Sequence, residues 1–489
     1  VSLGAKVRSG ARLSLLNTVV IRIGNFAAGV VLARTLLGPR EWGLYATGMV
    51  ALGVLLSANE MGVSLAIVRW DRDVREFAPT VMTLSVLSSS ILYAALYAAA
   101  PTTARLLGSP DATGMLRVLC VSVVIDGLAC VPNQIIAREF RQGARMVLDL
   151  LNFLVTTGTT LALAYSGAGA MSFAWGALVG NLCALAGCAV VVPGALRPGW
   201  STAEAKALVT FGLPLAGASL LVLAMLNVDS VVTGALLGPI ALGFYQLAFN
   251  VSSWPVRSIS EAARRISFAG FSRVAGSPAA LADAFGRGLG LLMAAAVPPC
   301  VLLATLAAPA LDTIYGPRWA AAAGVLRFLA LLGLLRIAYE LAYDCLAAAG
   351  RRSSLIGVQG VWLIALVPVL LYGAHLRGIA GVGAGHVLVA ALVAGPAFLW
   401  GLRREGIGPA VVARACLRPF IGGLVMAALS IAVYRWTGET RWGMFVAGAV
   451  ALAGYLPIVL PMRRLLRAET PAEPELTIQQ PAMAGDGER

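Results

Sequence analysis

The sequence predicts an all-α polytopic membrane protein of about fourteen transmembrane helices, built as two parallel six-helix lobes plus two extra C-terminal helices. Three observations carry this reading. The chain is 59% hydrophobic and only 12% charged, with a mean hydropathy of +0.84, a balance foreign to a water-soluble globule. Apolar windows long enough to span a bilayer, each of about 20 residues, tile it from Ala11 to Met462 with short polar joints. A ten-residue pattern is also written twice, LLGPREWGLY at 36–45 and LLGPIALGFY at 236–245.

The windows fall at 12–36, 43–67, 77–100, 114–137, 145–165, 169–192, 208–236, 241–265, 282–308, 320–348, 353–373, 378–400, 416–434 and 442–461. Lipid leaves an open chain only the helix as a way to satisfy its backbone, so each is read as a helix. The many Gly, Ala and Ser residues inside them suit close helix contacts. The net charge of +14 is distributed by topology. Lys6, Arg8 and Arg12 precede the first window, and clusters such as Arg138, Arg141 and Arg145, or Arg351 and Arg352, follow every second window. The intervening joints are poor in cations. This alternation predicts cytoplasmic termini and removes the need for a nucleic-acid partner.

Seven cysteines sit in or beside apolar windows without CxxC spacing, and are read as reduced packing residues. Only two histidines are present, His375 and His386, so no His-based metal site or triad is expected and no cofactor is required. No removable signal peptide stands apart from the first window. From Ala468 the composition turns to Pro, Glu and Gln, which predicts a disordered tail.

A duplicated half should repeat more than one turn. LRVLCVSVVID from Leu116 matches LRFLALLGLLR from Leu326, Tyr165 answers Tyr372, and the six-window blocks have similar lengths. Six crossings return the chain to its starting side, so the copies insert in the same orientation, with an axis along the membrane normal and the path between lobes. The expected divisions are 1–200 and 201–405 for the lobes, 406–467 for two additional helices and 468–489 for the tail.

Ionisable groups inside apolar windows are site candidates, set against pairing or snorkelling at helix ends. Arg336, Glu340 and Asp344 lie at i, i+4 and i+8 on one face of the tenth window, with Tyr339 and Tyr343 flanking. That face is expected to line a polar cavity between lobes, unless Arg336 and Glu340 satisfy each other. Asp126 is the residue aligned with Arg336 in the first half. Arg22 and Asn25 share a face of the first helix, and Arg22 has no acid on its own helix. A guanidinium so placed offers a donor fork suited to phosphate or carboxylate. Asn59 and Glu60 stand near the cytoplasmic end of the second window. Glu261, Arg264 and Arg265 stand at the equivalent depth of the eighth, where a Glu261–Arg265 pair within the helix competes with a functional role. Asn227 and Asp229 point different ways, and Asp229 is the better candidate as counter-ion or titrating group.

NVDSVVTGALLGPIALGFYQLAFNVSSWP resembles the matching segment of Wzx-type polysaccharide flippases, with its Leu-Gly-Pro-x-x-x-Gly-x-Tyr turn and later Pro. IAREFRQGARM and YGPRWAAAAGVLRFLAL are similar to the colanic-acid-exporter-like branch of that family. The resemblance spans about residues 5–400. It implies the superfamily of multidrug extruders (MATE) and lipid II flippases, and a non-enzymatic role. Such a protein moves a polyprenyl-pyrophosphate-linked oligosaccharide from the cytoplasmic to the outer leaflet of the bacterial cytoplasmic membrane by alternating access. Its partners would be that lipid-linked substrate and membrane lipids, with polysaccharide polymerase and glycosyltransferases as further candidates. Drug extruders commonly carry an acid in the first helix where this chain has Arg22 and Asn25, which favours an anionic pyrophosphate. Arg22 and Arg336 would hold the head group, and Asn25, Asp126, Asp229, Tyr339, Glu340 and Asp344 would face sugar or act as counter-ions. The alternatives are an ion-coupled multidrug or metabolite antiporter and a membrane glycosyltransferase or polymerase, for which the outer joints are short.

Overall fold

A computed structural model describes residues 3–59, 66–67, 70 and 72–466. Among these no strand occurs, and the helices follow the apolar windows closely. They are α1 (Leu3–Val31), α2 (Pro39–Asn59), α3 (Val74–Leu106), α4 (Pro110–Arg138), α5 (Gln142–Tyr165), α6 (Met171–Val191), α7 (Thr202–Val274) and α8 (Pro278–Thr305). The short α9 (Ala307–Tyr315) then leads to α10 (Ala322–Ala348), α11 (Arg352–Val389), α12 (Gly395–Arg403), α13 (Pro409–Trp436) and α14 (Arg441–Val459). Eleven helical segments among the described residues are long and apolar enough to cross a membrane.

Local chemistry starts and stops them. Pro39, Pro278 and Pro409 open α2, α8 and α13, where a missing N–H costs nothing. Asp73, Ser201, Ser277 and Thr440 cap α3, α7, α8 and α14 by accepting from backbone N–H groups two or three residues on. Two expected joints are tighter than a loop. The windows 208–236 and 241–265 are the two arms of α7, continuous except at Gly238, whose φ of 80° and ψ of 178° bend the helix at one residue. The windows 353–373 and 378–400 likewise join through a bend at Arg377 and Gly378. Turns of π-helix extend α1 at Leu32–Leu36 and link α11 to α12 at Ala390–Ala394.

The helices gather in two groups. In the first, α1 packs on α5, α5 on α6, α3 on α4 and α4 on α6. In the second, α7 packs on α10 and α11, and α8 on α10, around one large apolar core that includes Tyr245, Leu289, Leu326 and Phe398. The pair α13 and α14 leans on α8. The groups meet chiefly where α2 crosses α7.

That crossing is made by the two repeated turns. A Cβ on Gly43 would stand 1.7 Å from the Pro239 carbonyl oxygen, and one on Gly243 would stand 1.9 Å from the Pro39 carbonyl oxygen. The contact is reciprocal: each turn's second glycine lies against the other turn's proline, with no side chain between the backbones. LLGSP at 106–110, which reads in sequence as one more ordinary turn, joins the same region. Gly108, at φ +69°, lies against Gly234, where a Cβ would come 2.0 Å from the carbonyl oxygen.

Candidate functional site

Around the crossing the two groups are sealed. Trp319 is fully buried and donates its indole N–H to the Ala33 carbonyl at 2.9 Å. Its ring meets Trp42 and Phe244 edge-on, with centroids 5.9 Å away in each case. Arg34, leaving α1, donates to the carbonyls of Thr313 and Ile314 at the end of α9. The helix groups are thus tied by backbone, aromatic and guanidinium contacts at the end that carries the turns.

Behind this seal, α1, α2 and the second arm of α7 enclose a cavity of about 300 Å³. Arg22 and Asn25 line it from α1, as their spacing predicts, and Asn250, Trp254 and Arg257 face them from α7. Trp42 and Tyr315 wall it on the side of the turns. Phe26 and Trp254 touch across it, centroids 4.6 Å apart. Arg22 forms an ion pair with Glu261 across the two groups, so Glu261 turns to α1. Both side chains keep substantial exposure, 36% and 50%, which makes this a solvated and breakable pair. Arg257 and Asn250 are not evident from sequence because Arg257 sits two residues after Pro255 near a polar boundary. The clue is positional: Asn250, Trp254 and Arg257 recur at i, i+4 and i+7, one helical face.

The stripe on α10 divides. Glu340 and Asp344 turn to Arg264 on α7, at 3.7 and 4.0 Å, and Ser267 donates to Asp344 at 3.0 Å. Glu340 is therefore matched to Arg264 and not to Arg336. Tyr339 donates its hydroxyl to the Ala390 carbonyl at 2.7 Å and stacks on Phe398 at 5.1 Å, a packing role inside the second group. Tyr343 is exposed. Arg336 sits over the Phe249 ring, 6.0 Å from its centroid, in the neighbourhood of Tyr245 and His386.

Those two residues surround Asp229, which is 2% exposed on the first arm of α7. Its carboxylate accepts from the Tyr245 hydroxyl at 2.7 Å and from the Ser230 N–H at 2.7 Å. Asp126 is exposed on α4 and does not line the cavity. Asn227 is half-buried on α7. Glu60, the side chains of Asn59 and Arg265, and the tail from 467 lie outside the described residues. No group of three or more His, Cys, Asp or Glu residues among those described could hold a metal ion.

The chain is similar to known proteins in sequence and in fold. The chain is 22% identical over 390 residues to the lipopolysaccharide biosynthesis protein WzxC of Escherichia coli (strain K12), covering 79% of each. It is 20% identical over 401 residues to the teichuronic acid biosynthesis protein TuaB of Bacillus subtilis (strain 168), covering 80% of each. Among solved structures, the lipid II flippase MurJ in an inward closed conformation superposes with a TM-score of 0.75 at 13% identity, over 94% of this chain and 100% of that one. An inward-facing multidrug resistance transporter of the MATE family gives 0.61 at 18%, over 80% of this chain and 95% of that one. Both show a shared fold. The family model described as polysaccharide biosynthesis protein matches residues 31–324. With more than half of its length in that match, this multi-pass membrane chain belongs to the polysaccharide biosynthesis protein family.

Proposed function

We propose that the protein is a flippase that carries a polyprenyl-pyrophosphate-linked oligosaccharide from the cytoplasmic to the outer leaflet by alternating access, with no bond made or broken. The observation that carries the reading is the meeting of Arg22 and Arg257, on helices of opposite groups, over one cavity sealed at the end of the turns. Two guanidinium groups lining one cavity match a diphosphate in charge and in donor geometry. Asn25 and Asn250 offer neutral donors and acceptors beside them, and Trp254 offers an apolar face to a sugar ring. Glu261 is the resident anion: diphosphate takes Arg22, and Glu261 recovers it after release.

In this reading residues 1–200 and 201–405 are the rocking lobes, 406–467 the appended helices and 468–489 a cytoplasmic tail. The crossed turns form the outer gate, both termini are cytoplasmic, and the membrane is the bacterial cytoplasmic membrane. The names of WzxC, TuaB and MurJ, in envelope polysaccharide and lipid II biology, support the substrate class. A cell lacking its own flippase and carrying Arg22→Ala or Arg257→Ala at normal expression should export at least about tenfold less glycan, the loss expected when a charge-assisted contact of roughly 1.5–3 kcal/mol is removed. Unchanged export in both variants overturns the site.

A further inference from the structure

A second and larger cavity lies away from the head-group site, and the proposed flipping step leaves it without a task. It is a trough of about 1000 Å³ between α10 and α13, floored by α8 and closed at one end by α9 and the start of α14. Its body is apolar. Val297 and Val301 line it from α8, Leu331 and Leu334 from α10, and Phe420 and Leu424 from α13. Leu331, Phe420 and Leu424 are exposed, so the trough opens along its flank to the bilayer that these helices cross. A Cβ on Gly423 would stand 2.9 Å from Val297 Cγ1, and this close approach of α13 to α8 makes the floor.

At the end that carries the turns the lining becomes charged. Arg327, Arg435 and Arg441 stand there with Asp312 and Glu439, three guanidinium groups against two carboxylates, which leaves one net positive charge. Arg441 and Asp312 pair at 3.9 Å. Arg327 and Arg435 have no carboxylate within ion-pair distance among the described residues. Trp436 and Trp442, next in sequence to Arg435 and Arg441, are 86% and 81% exposed, the mark of a membrane–water interface. From Arg435 the lining follows α13 down to Phe420, fifteen residues or about 22 Å of helix at 1.5 Å per residue. Half of a bilayer's hydrocarbon core is about 15 Å deep, so the trough runs from an interface to beyond the midplane.

We propose that this trough binds one anionic glycerophospholipid from the leaflet on the side of the turns, with its phosphate on Arg327 and Arg435 and an acyl chain along α13. The inference does not rest on the flippase reading. Charge and position decide the occupant. Two guanidinium groups without carboxylate partners, set at an interface above an apolar trough, suit a phosphodiester whose chains point into the leaflet. One net positive charge matches the single negative charge of phosphatidylglycerol, whose glycerol hydroxyls would donate to Glu439 and Asp312. The ammonium of phosphatidylethanolamine would instead meet three guanidinium groups. A polyprenyl diphosphate would bring at least two negative charges to a mouth that already holds two carboxylates, and its match is Arg22 with Arg257. The mouth also adjoins the seal: Asp312 precedes Thr313, whose carbonyl accepts from Arg34 of the other helix group.

The test uses the full-length protein in mixed micelles, with the lipids bound to it counted by native mass spectrometry. Palmitoyl-oleoyl phosphatidylglycerol and phosphatidylethanolamine of the same chains are titrated in turn. The parent protein should hold one phosphatidylglycerol at least about tenfold more tightly than phosphatidylethanolamine, the margin of one charge-assisted contact. The double variant Arg327→Gln/Arg435→Gln should lose that preference, and both side chains are exposed, so the core is untouched. Ala427→Trp should weaken phosphatidylglycerol binding by filling the trough, whereas Val446→Trp, exposed on α14 outside the lining, should not. Phosphatidylglycerol should also raise the melting temperature of the parent protein and not of the double variant, because a ligand of the folded state stabilises it. That measurement carries the test where Ala427→Trp gives no monodisperse protein. Equal affinity for the two lipids, a preference that survives the double variant, or unchanged binding in Ala427→Trp overturns the proposal. So does displacement of phosphatidylglycerol by an equal concentration of decaprenyl phosphate, which would give the trough to an isoprenoid chain.

Discussion

The two Leu-Leu-Gly-Pro turns share a backbone task and differ in everything that supports it. In the first, Glu41 accepts from the Gly38 N–H at 2.9 Å and caps α2, Arg40 pairs with Asp111, and a π-turn delivers the chain from α1. In the second, Ile240 and Ala241 replace the charged pair, and α7 runs through with one bent residue at Gly238. The first copy is therefore a capped, polar and self-sufficient turn. The second is a hinge inside a long helix, tied from below by Asp229 and Tyr245. What both keep is the glycine at the sixth place after Leu37 or Leu237, two residues before tyrosine. The contact is common to both turns and their supports differ, so in the proposed transport cycle the first turn would serve as anvil and the second as moving arm.

Substitution of the shared glycines has the largest expected effect. Gly43→Ala and Gly243→Ala each place a carbon within 2 Å of a backbone oxygen that cannot rotate away, so the crossing must part by more than about 1 Å. Glycan export should fall by about tenfold or more, and the ends of the helix groups that carry the turns should spend more time apart. The double variant should cost little beyond either single one, because both block one contact. Gly158→Ala on α5, where a Cβ meets nothing within 4 Å, is the matched control. Full activity in both single variants would remove the crossing from the transport cycle.

How much of this was legible in the sequence depends on what each signal measures. Hydropathy reports the cost of placing a residue in lipid, and it located the helices from Pro39 to Val459 well. It could not show that 236–241 is a bend and not a loop, because one residue of positive φ suffices there and Gly238 has the same composition signal either way. The repeat signalled that two turns matter, yet their mutual contact is a matter of backbone approach, on which sequence is silent. Arg22 and Asn25 were found because an isolated polar face in an apolar helix stands out. Arg257 was passed over because it sits near a polar boundary, and the α10 stripe divided because helical spacing shows which residues share a face but not which neighbour that face meets. With only His375 and His386 in the sequence no His-based metal site or triad is expected, and sequence is silent on the approach of His386 to Asp229.

Trp319 sharpens the comparison from the other side of the seal, since its ring meets Trp42 within the first turn and Phe244 within the second. Trp319→Phe retains much of the packing and leaves the Ala33 carbonyl without its donor. The closed form should lose about 1–3 kcal/mol, the cost of an unsatisfied buried acceptor, and cysteine pairs across the turns should crosslink more slowly. Arg40→Ala should matter less. Its partner Asp111 belongs to the same helix group, and both side chains are more than half exposed, so thermal stability should change by no more than about 1 kcal/mol. A gating defect as large as that of Gly43→Ala would contradict the division between local support and crossing.

The smallest expected effect lies at the foot of α7, where the two groups are joined both by chain and by side-chain contact. Arg72, just before α3, donates to both carboxylate oxygens of Glu204, at 2.8 and 3.0 Å, and also to Glu76 at 3.2 Å. Those donors hold the Glu204 carboxyl below the usual range for a glutamate, against a smaller opposing push from burial. A carboxyl whose folded value is depressed contributes its stability above the unfolded value, and the contribution fades as pH falls through the folded one. Glu204→Gln should therefore lower the melting temperature modestly at neutral pH, and the gap from the parent protein should narrow steadily on acidification until the two coincide. Because this joint lies away from the crossing, the distance between the two helix groups at the outer gate should be the same with and without the substitution. A melting gap independent of pH would mean that the amide disturbs packing and not the ion pair. An altered gate would mean that the foot of α7 is part of the moving arm, extending the hinge at Gly238 down to residue 204.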